Sequence, residues 1–242
     1  MKVILCSFLI AISSLLGGCK KCLNKKGAVQ TVQHSLEPFN ELDIEGKFNI
    51  TLVQNTKNRI TFLAHQGIIE LLRYEVVDKK LTLINDNKCS NINGYDDWVD
   101  IKIEMDSLSY GRFSVPGILT NQGILKWTAC SLFIDNCNLE TNLNINMNQF
   151  EITLDGGSST INLSGNCNRT EYYNNGVGHI YGKDLISKKL YIYSIGTGIH
   201  EGTAKDYFAT SLHGSAVAHY YGNPTTVSID IVGNEGAEAI KL

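Results

Sequence analysis

Five glycine-centred triplets set a period of about 19 residues along the second half of this chain. They are Gly157-Ser158-Ser159, Gly176-Val177-Gly178, Gly196-Thr197-Gly198, Gly214-Ser215-Ala216 and Gly233-Asn234-Glu235, with first glycines 19, 20, 18 and 19 residues apart. A second series, Gly165, Gly182, Gly202 and Gly222, runs between them at intervals of 17, 20 and 20. At about 3.3 Å per residue, one such interval is the length of a short coil of strands and corners. Corners favour glycine, asparagine and serine, which tolerate positive φ or bond their own backbone. A single coil cannot bury its apolar side chains, but stacked coils share one interior.

Between the triplets the text alternates. Phe150, Ile152 and Leu154 share one face, as do Leu190 with Ile192 and Ile229 with Ile231. Upstream, Phe39–Ile44, Phe48–Gln54, Arg59–Ala64, Lys80–Ile84 and Val99–Glu104 read as short strands parted by turn residues such as Gly46 and Asn55-Thr56-Lys57-Asn58. Gly67–Arg73 is the one helical candidate. The expected fold is all-β: a right-handed parallel β-helix, or solenoid, of about 19-residue coils behind an N-terminal β cap. The competing architecture is a sandwich of short hairpins, whose turns would recur every 8 to 12 residues or so.

The first residues read as a targeting segment. Lys2 precedes an uncharged apolar run from Val3 to Leu16, too short to span a bilayer as a helix, and Leu16-Gly17-Gly18-Cys19 follows it. That ending resembles the lipobox of bacterial lipoproteins, in which the cysteine is acylated and becomes the mature N-terminus. Two or more acyl chains anchor a protein stably where one does not. The expected domains are a signal peptide over 1–18, a lipidated tether over 19–30 and the solenoid over 31–242, divided into a cap over 31–105 and repeat coils over 106–242. The expected location is an exported, membrane-anchored lipoprotein of the outer membrane, its partner there being the membrane reached through acylated Cys19. Which way it faces is left open.

Removing that segment leaves 20 basic and 24 acidic residues, a balance that offers no nucleic-acid footprint. Cys22, Cys89, Cys130, Cys137 and Cys167 then remain, an odd number with no CxxC pair, so they read as small buried hydrophobes with no pairing assigned. His179, His200, His213 and His219 lie in the repeats, but adjacent offsets place His200 opposite His179 and His219, and surface positions without metal are expected. Asp135, Asp155, Asp184, Asp206 and Asp230 read as scattered over different phases, and adjacent Asp96 and Asp97 as pointing to opposite sides. No G-x-S-x-G, H-E-x-x-H or Walker-type loop occurs. Neither a catalytic residue nor a cofactor is expected.

The opening Phe39-Asn40-Glu41-Leu42-Asp43-Ile44 with Gly46-Lys47-Phe48-Asn49-Ile50, the strand Leu81-Thr82-Leu83, the serial triplets and Tyr220-Tyr221-Gly222-Asn223-Pro224 together resemble one family over about residues 30 to 242. It is the auto-transporter adhesin, head GIN domain family of bacterial envelope proteins. The resemblance implies an exported, often lipid-anchored β-helix with adhesin-like rather than catalytic function, and it brings no known ligand or catalytic residues. The lost second glycines in Gly157-Ser158-Ser159 and Gly214-Ser215-Ala216 depart from the pattern at the corners.

For binding, the tyrosines are the candidates, with Tyr172, Tyr181, Tyr191 and Tyr220 as the expected surface for a glycan or an envelope protein. Alternation allows only one of each neighbouring pair, such as Tyr172 and Tyr173, to face outward. The expected function is a non-catalytic interaction module. The alternative is a carbohydrate-binding or carbohydrate-active protein on the same scaffold.

Overall fold

The structure is a computed structural model that describes residues 27–85, 98–233 and 236–242. The signal peptide, Cys19, most of the tether, Cys22, Cys89, Asp96 and Asp97 lie outside the described residues.

Short strands come first: β1 (Val29–Ser35), β2 (Glu41–Glu45), β3 (Phe48–Gln54), β4 (Arg59–His65), β5 (Arg73–Val77), β6 (Lys80–Ile84), β7 (Val99–Met105), β8 (Tyr110–Ser114), β9 (Gly117–Gln122) and β10 (Ala129–Asp135). Four long ones follow, β11 (Leu139–Asp155), β12 (Thr160–Asn175), β13 (His179–Ser194) and β14 (Thr197–His213), then β15 (Ser215–Tyr221), β16 (Thr226–Val232) and β17 (Glu238–Lys241). The expected helix shrinks to α1 (Gln66–Ile69), which has no side-chain cap and buries only Ile68.

The strands stack in parallel to form a two-walled β-solenoid. Each long strand bends once, where the ladder skips Asn148, Asn168, Lys188 and Lys205-Asp206, so its first half lies in one wall and its second half in the other. The first wall runs β7, β3, β9, the first halves of β11 to β14, then β15 and β17. The second runs β6, β2, β8, β10, the second halves of β11 to β14, then β16. Registers restate the glycine period: Gln149 pairs Arg169, which pairs Lys189, while Thr197 pairs Ser215. A hairpin sandwich would pair these strands antiparallel.

Alternation within strands sets the interior. Phe150, Ile152 and Leu154 stack on Thr170, Tyr172 and Asn174, these on Leu190, Ile192 and Ser194, and these on Phe208, Thr210 and Leu212. Nearly all of these side chains are buried, and each large apolar one stabilises the fold by roughly 1.5–3 kcal/mol relative to exposure.

Chain order and stacking order differ at the start. The β2–β3 coil lies between the later β6–β7 and β8–β9 coils, paired in parallel on both sides. Parallel coils therefore begin within residues 31–105, the stretch expected to be cap alone. The antiparallel cap is narrower: β4 covers the edge of β7, β1 covers β4, and β5 covers β6. An ion pair helps to fix it, with Arg59 of β4 2.8 Å from Glu104 of β7 and the Asn55 amide donating to the same carboxylate oxygen at 3.0 Å. At the other end no further coil among the described residues lies on β16, and all seven of its residues are exposed.

The first glycine series is a true column, because Thr197 donates to the Gly176 carbonyl and Val177 to that of Gly157. Gly198 has φ +116°, and a Cβ there would strike the carbonyl oxygen of Gly178. Where Ser159 replaces the glycine, its buried hydroxyl donates to the Cys137 carbonyl and accepts from the Leu139 amide, each at 2.9 Å. The second series is not one column, since Gly165 pairs Leu185 and Gly202 pairs Tyr220. Gly182 is there for space, because a Cβ would collide with the Tyr172 hydroxyl that crosses the interior.

Candidate functional site

A parallel solenoid presents its outward side chains as ladders along the stacking axis. On the second wall one ladder is Gln149, Arg169, Lys189, Tyr207 and Thr226; the next is Glu151, Glu171, Tyr191, Ala209 and Ser228; the third is Thr153, Tyr173, Tyr193, Ser211 and Asp230. Aromatic side chains therefore collect on β12 and β13, and small ones lie beside them on β14 and β16.

Two of the four tyrosines expected at the surface are interior. Tyr172 is 1% exposed, in register between Ile152 and Ile192, and its hydroxyl has no hydrogen-bond partner. Tyr220 is buried face-to-face on Phe208, with ring centroids 4.3 Å apart, and is the register neighbour of Gly202. Their outward neighbours are Tyr173 and Tyr221. The period held the answer: Phe150, Ile152 and Leu154 point inward, so positions 20 residues later, Thr170, Tyr172 and Asn174, do too. Tyr191 and Tyr181 are both half-buried on outward faces, on the second and first walls respectively.

Tyr191 and Tyr193 form the upstream side of a groove of about 380 Å³, within the span of small-molecule sites. Ala209, Ser211 and Ser228 contribute its low side, and Asp230 lies at its far end. The groove exists because two large side chains in one coil are followed by two small ones in the next. Its tyrosines are held in place. The Arg169 guanidinium lies 4.3 Å from the centre of the Tyr191 ring, and Tyr207 leans on that ring at 5.3 Å. Tyr193 stands between Tyr173 at 6.1 Å and His213 at 5.8 Å.

Glu171 anchors the group from beneath. It accepts from Arg169 Nε at 2.6 Å and from the Tyr173 hydroxyl at 3.0 Å. The Arg169 hydrogen bond holds its carboxyl below the usual carboxylate range against the opposing effect of burial. It is thus a charged acceptor already engaged. Asp230 accepts from the Ser211 hydroxyl at 3.3 Å and keeps acceptor capacity toward the groove. Arg169 and Glu171 were not singled out by the sequence, Tyr173 and Tyr193 were not among the four tyrosines chosen, and Asp230 read as one scattered aspartate, although stepping 20 residues from outward Glu151 and Thr153 reaches Glu171, Tyr173 and Tyr193.

A second groove, of about 460 Å³, lies on the first wall. There β13 bulges at Lys183 and Asp184, beside Asn142, Asn162, Tyr181 and Glu201. It is polar and carries one aromatic side chain, Tyr181.

The histidines divide as the offsets require, but not all are at the surface. His179 and His219 face outward, and His200 is fully buried between Ile180 and Ala218. Burial, helped by His179, pushes the His200 imidazole down to about 4. Its Nε2 meets the Asn174 amide at 3.2 Å, and that amide also reaches the Ser194 hydroxyl and the Thr197 carbonyl. Among the described residues no group of His, Cys, Asp or Glu is placed to hold a metal ion.

The aspartates are less scattered than expected. Asp135 and Asp155, 20 residues apart, are direct ladder partners on the second wall. Arg112 bridges Asp135 to Asp43, and Asn175 donates to Asp155 at 2.8 Å. Both carboxylates serve the scaffold. Cys130, Cys137 and Cys167 are buried free thiols, and burial raises each of them above the ordinary range.

Comparison with known proteins agrees with this architecture. Residues 38–224 match the family model described as "Putative auto-transporter adhesin, head GIN domain". No curated protein matches the sequence significantly. Among solved structures, a putative adhesin from Bacteroides fragilis superposes with a TM-score of 0.76 at 19% identity, covering 88% of this chain and 97% of that one. A putative lipid binding protein from Parabacteroides distasonis gives 0.63 at 18%, with 88% and 97% covered. A putative adhesin from Parabacteroides merdae gives 0.56 at 17%, again with 88% and 97% covered. At such identities the likeness is one of fold.

Proposed function

This chain belongs to the auto-transporter adhesin, head GIN domain family, and we propose that it works at the cell envelope as a lipid-anchored, non-catalytic interaction module. The observation that carries the reading is the outward face of the second wall, where a rigid parallel scaffold presents aromatic and polar side chains around a groove. The family argues for adhesin-like use of such a face. On the second wall Asp135 and Glu171 are each paired to an arginine and Asp155 is held by Asn175, and on the first wall Glu201 meets His219 at 3.3 Å, which argues against catalysis at these positions. Polysaccharide cleavage would need an acid and a base free to act on one substrate.

Anchoring rests on Cys19. An apolar run ending in Leu16-Gly17-Gly18-Cys19 supports acylation there, and among the described residues no helix is long and apolar enough to cross a membrane. Two experiments test the two halves of the reading. Expressed with its leader, the wild type should fractionate with outer membranes and the Cys19→Ser variant should be soluble; retention of the variant would remove the lipid from the account. Beads coated with residues 27–242 should adhere to bacterial or host cell surfaces more than beads coated with an unrelated β-solenoid, and equal adhesion would remove the adhesin-like role.

A further inference from the structure

We propose that the second-wall groove is a saccharide subsite, taking neutral hexopyranose units of a glycan chain; this rests on, and sharpens, the adhesin-like reading. A pyranose has an apolar C–H face and a rim of hydroxyl donors and acceptors, so its site needs an aromatic ring beside hydrogen-bonding groups. The groove has that composition. Tyr193 is 40% exposed, and together with Tyr191 it lines the groove beside the small side chains of Ala209 and Ser211. Around them lie the hydroxyls of Ser211 and Ser228 and the carboxylate of Asp230.

The supporting contacts suit recognition of a rigid ring. Tyr191 is backed by Arg169 and Tyr207, and Tyr193 is braced by Tyr173 and His213, so little side-chain freedom remains to be lost on binding. The groove is lined from Arg169 on β12 to Asp230 on β16, four neighbouring strands of the second wall or about 14 Å at the usual strand spacing. That length suits an oligosaccharide lying across the coils.

Charge narrows the class. Arg169 and Glu171 neutralise each other, so Asp230 leaves the groove net negative, and the whole chain carries −3. Sulfated and uronic glycans, and nucleic acid, are disfavoured by that balance. A peptide strand would dock through main-chain hydrogen bonds, but β12, β13 and β14 spend theirs on one another and on β16, so only the outer edge of β16, beyond Asp230, offers any, and the aromatic part of the groove does not.

The test uses residues 27–242 on an array of neutral, sulfated and uronic oligosaccharides, followed by calorimetric titration with the best-retained neutral one. Wild type should retain neutral hexopyranosides. Tyr193→Ala should weaken that binding about tenfold or more, the scale of losing one well-packed aromatic contact. Ser211→Tyr keeps every ring and fills the groove from its low side, so it should abolish binding while circular dichroism and melting temperature stay at wild-type values. Tyr181→Ala, on the opposite wall, should bind as wild type does. No retained glycan, a preference for anionic glycans, or unimpaired binding by Ser211→Tyr would each overturn the subsite. The bead assay separates this from the broader reading: adhesion that survives Ser211→Tyr leaves the adhesin-like role standing and removes the groove from it.

Discussion

His200 shows how one buried side chain couples this fold to pH. Its imidazole sits in the interior with Nε2 on Asn174 and no partner for Nδ1. The folded state therefore favours the neutral ring, whose pKa lies at about 4, against about 6.5 in an unfolded chain. Between those values the unfolded state binds a proton that the folded state refuses. The stabilisation is whole above about pH 6.5, declines as pH falls, and is spent below about pH 4. His200→Gln removes the titration while keeping an amide near Asn174. The unfolding free energy of wild type should drop by about 2–3 kcal/mol more than that of the variant between pH 7 and 4.5. Urea titrations at the two pH values measure this, and identical drops would mean that the imidazole is not held neutral. The residue scale is also where the sequence was hardest to read. The offset of His200 gave its side of the strand, but not that this side is the interior, because histidine and tyrosine are intermediate in burial and asparagine is mostly exposed. Only register against Ile180 and Ala218 settles it.

Strands were legible where apolar and polar residues alternate strictly. Phe48–Gln54 and Lys80–Ile84 emerge with the expected bounds, because Phe48, Ile50 and Leu52, or Leu81 and Leu83, can all be buried only in an extended chain. The corners were legible for a different reason, the spacing of the triplets. What glycine does at each corner was not, since one residue type serves both backbone conformation and close approach. Gly198 and Gly233 separate these uses. Both have positive φ, +116° and +96°, but a Cβ at Gly198 meets the Gly178 carbonyl oxygen while at Gly233 it meets nothing within 4 Å. Gly233→Ala should cost the backbone strain alone, on the order of 1 kcal/mol. Gly198→Ala adds a collision with the next coil that the stack cannot relieve without losing register, and should cost about 3 kcal/mol or more. Thermal melts of the two variants compare them directly, and equal losses would show that the column does not pack closely at this corner.

Across the whole molecule, alternation and period determine which face points inward and how far apart the coils recur. They do not determine the order of stacking. The insertion of β2–β3 between β6–β7 and β8–β9 depends on pairings 39 to 69 residues apart, such as Glu41 with Lys80 and with Tyr110, and no local pattern encodes these. The same long-range order makes the two ends unequal. At the start, β7 is covered by β4 and β4 by β1, with the Arg59–Glu104 pair across the seam, where hydrogen bonds from Asn55 and Arg59 outweigh burial and hold Glu104 below the usual carboxylate range. At the finish, Val227, Ile229 and Ile231 continue the interior rows of Phe208, Thr210 and Leu212, yet they are 44%, 45% and 42% exposed because no described coil covers them. Stability in a solenoid is close to a sum of coil and neighbour contributions, so a coil with one neighbour opens more readily than a coil with two. Amide exchange should therefore be graded. Protection should be greatest in β11 to β13, high in β3 and β7 beneath the cap, and lowest in β16 and β17, where opening should cost only a few kcal/mol. Because the aromatic ladders of β12 and β13 lie inside the protected stretch and β14 lies next to it, most of the groove should persist while Asp230, on β16, is released with the final coil. Exchange at β16 as slow as at β12 would mean that the terminal coil opens only with the whole molecule.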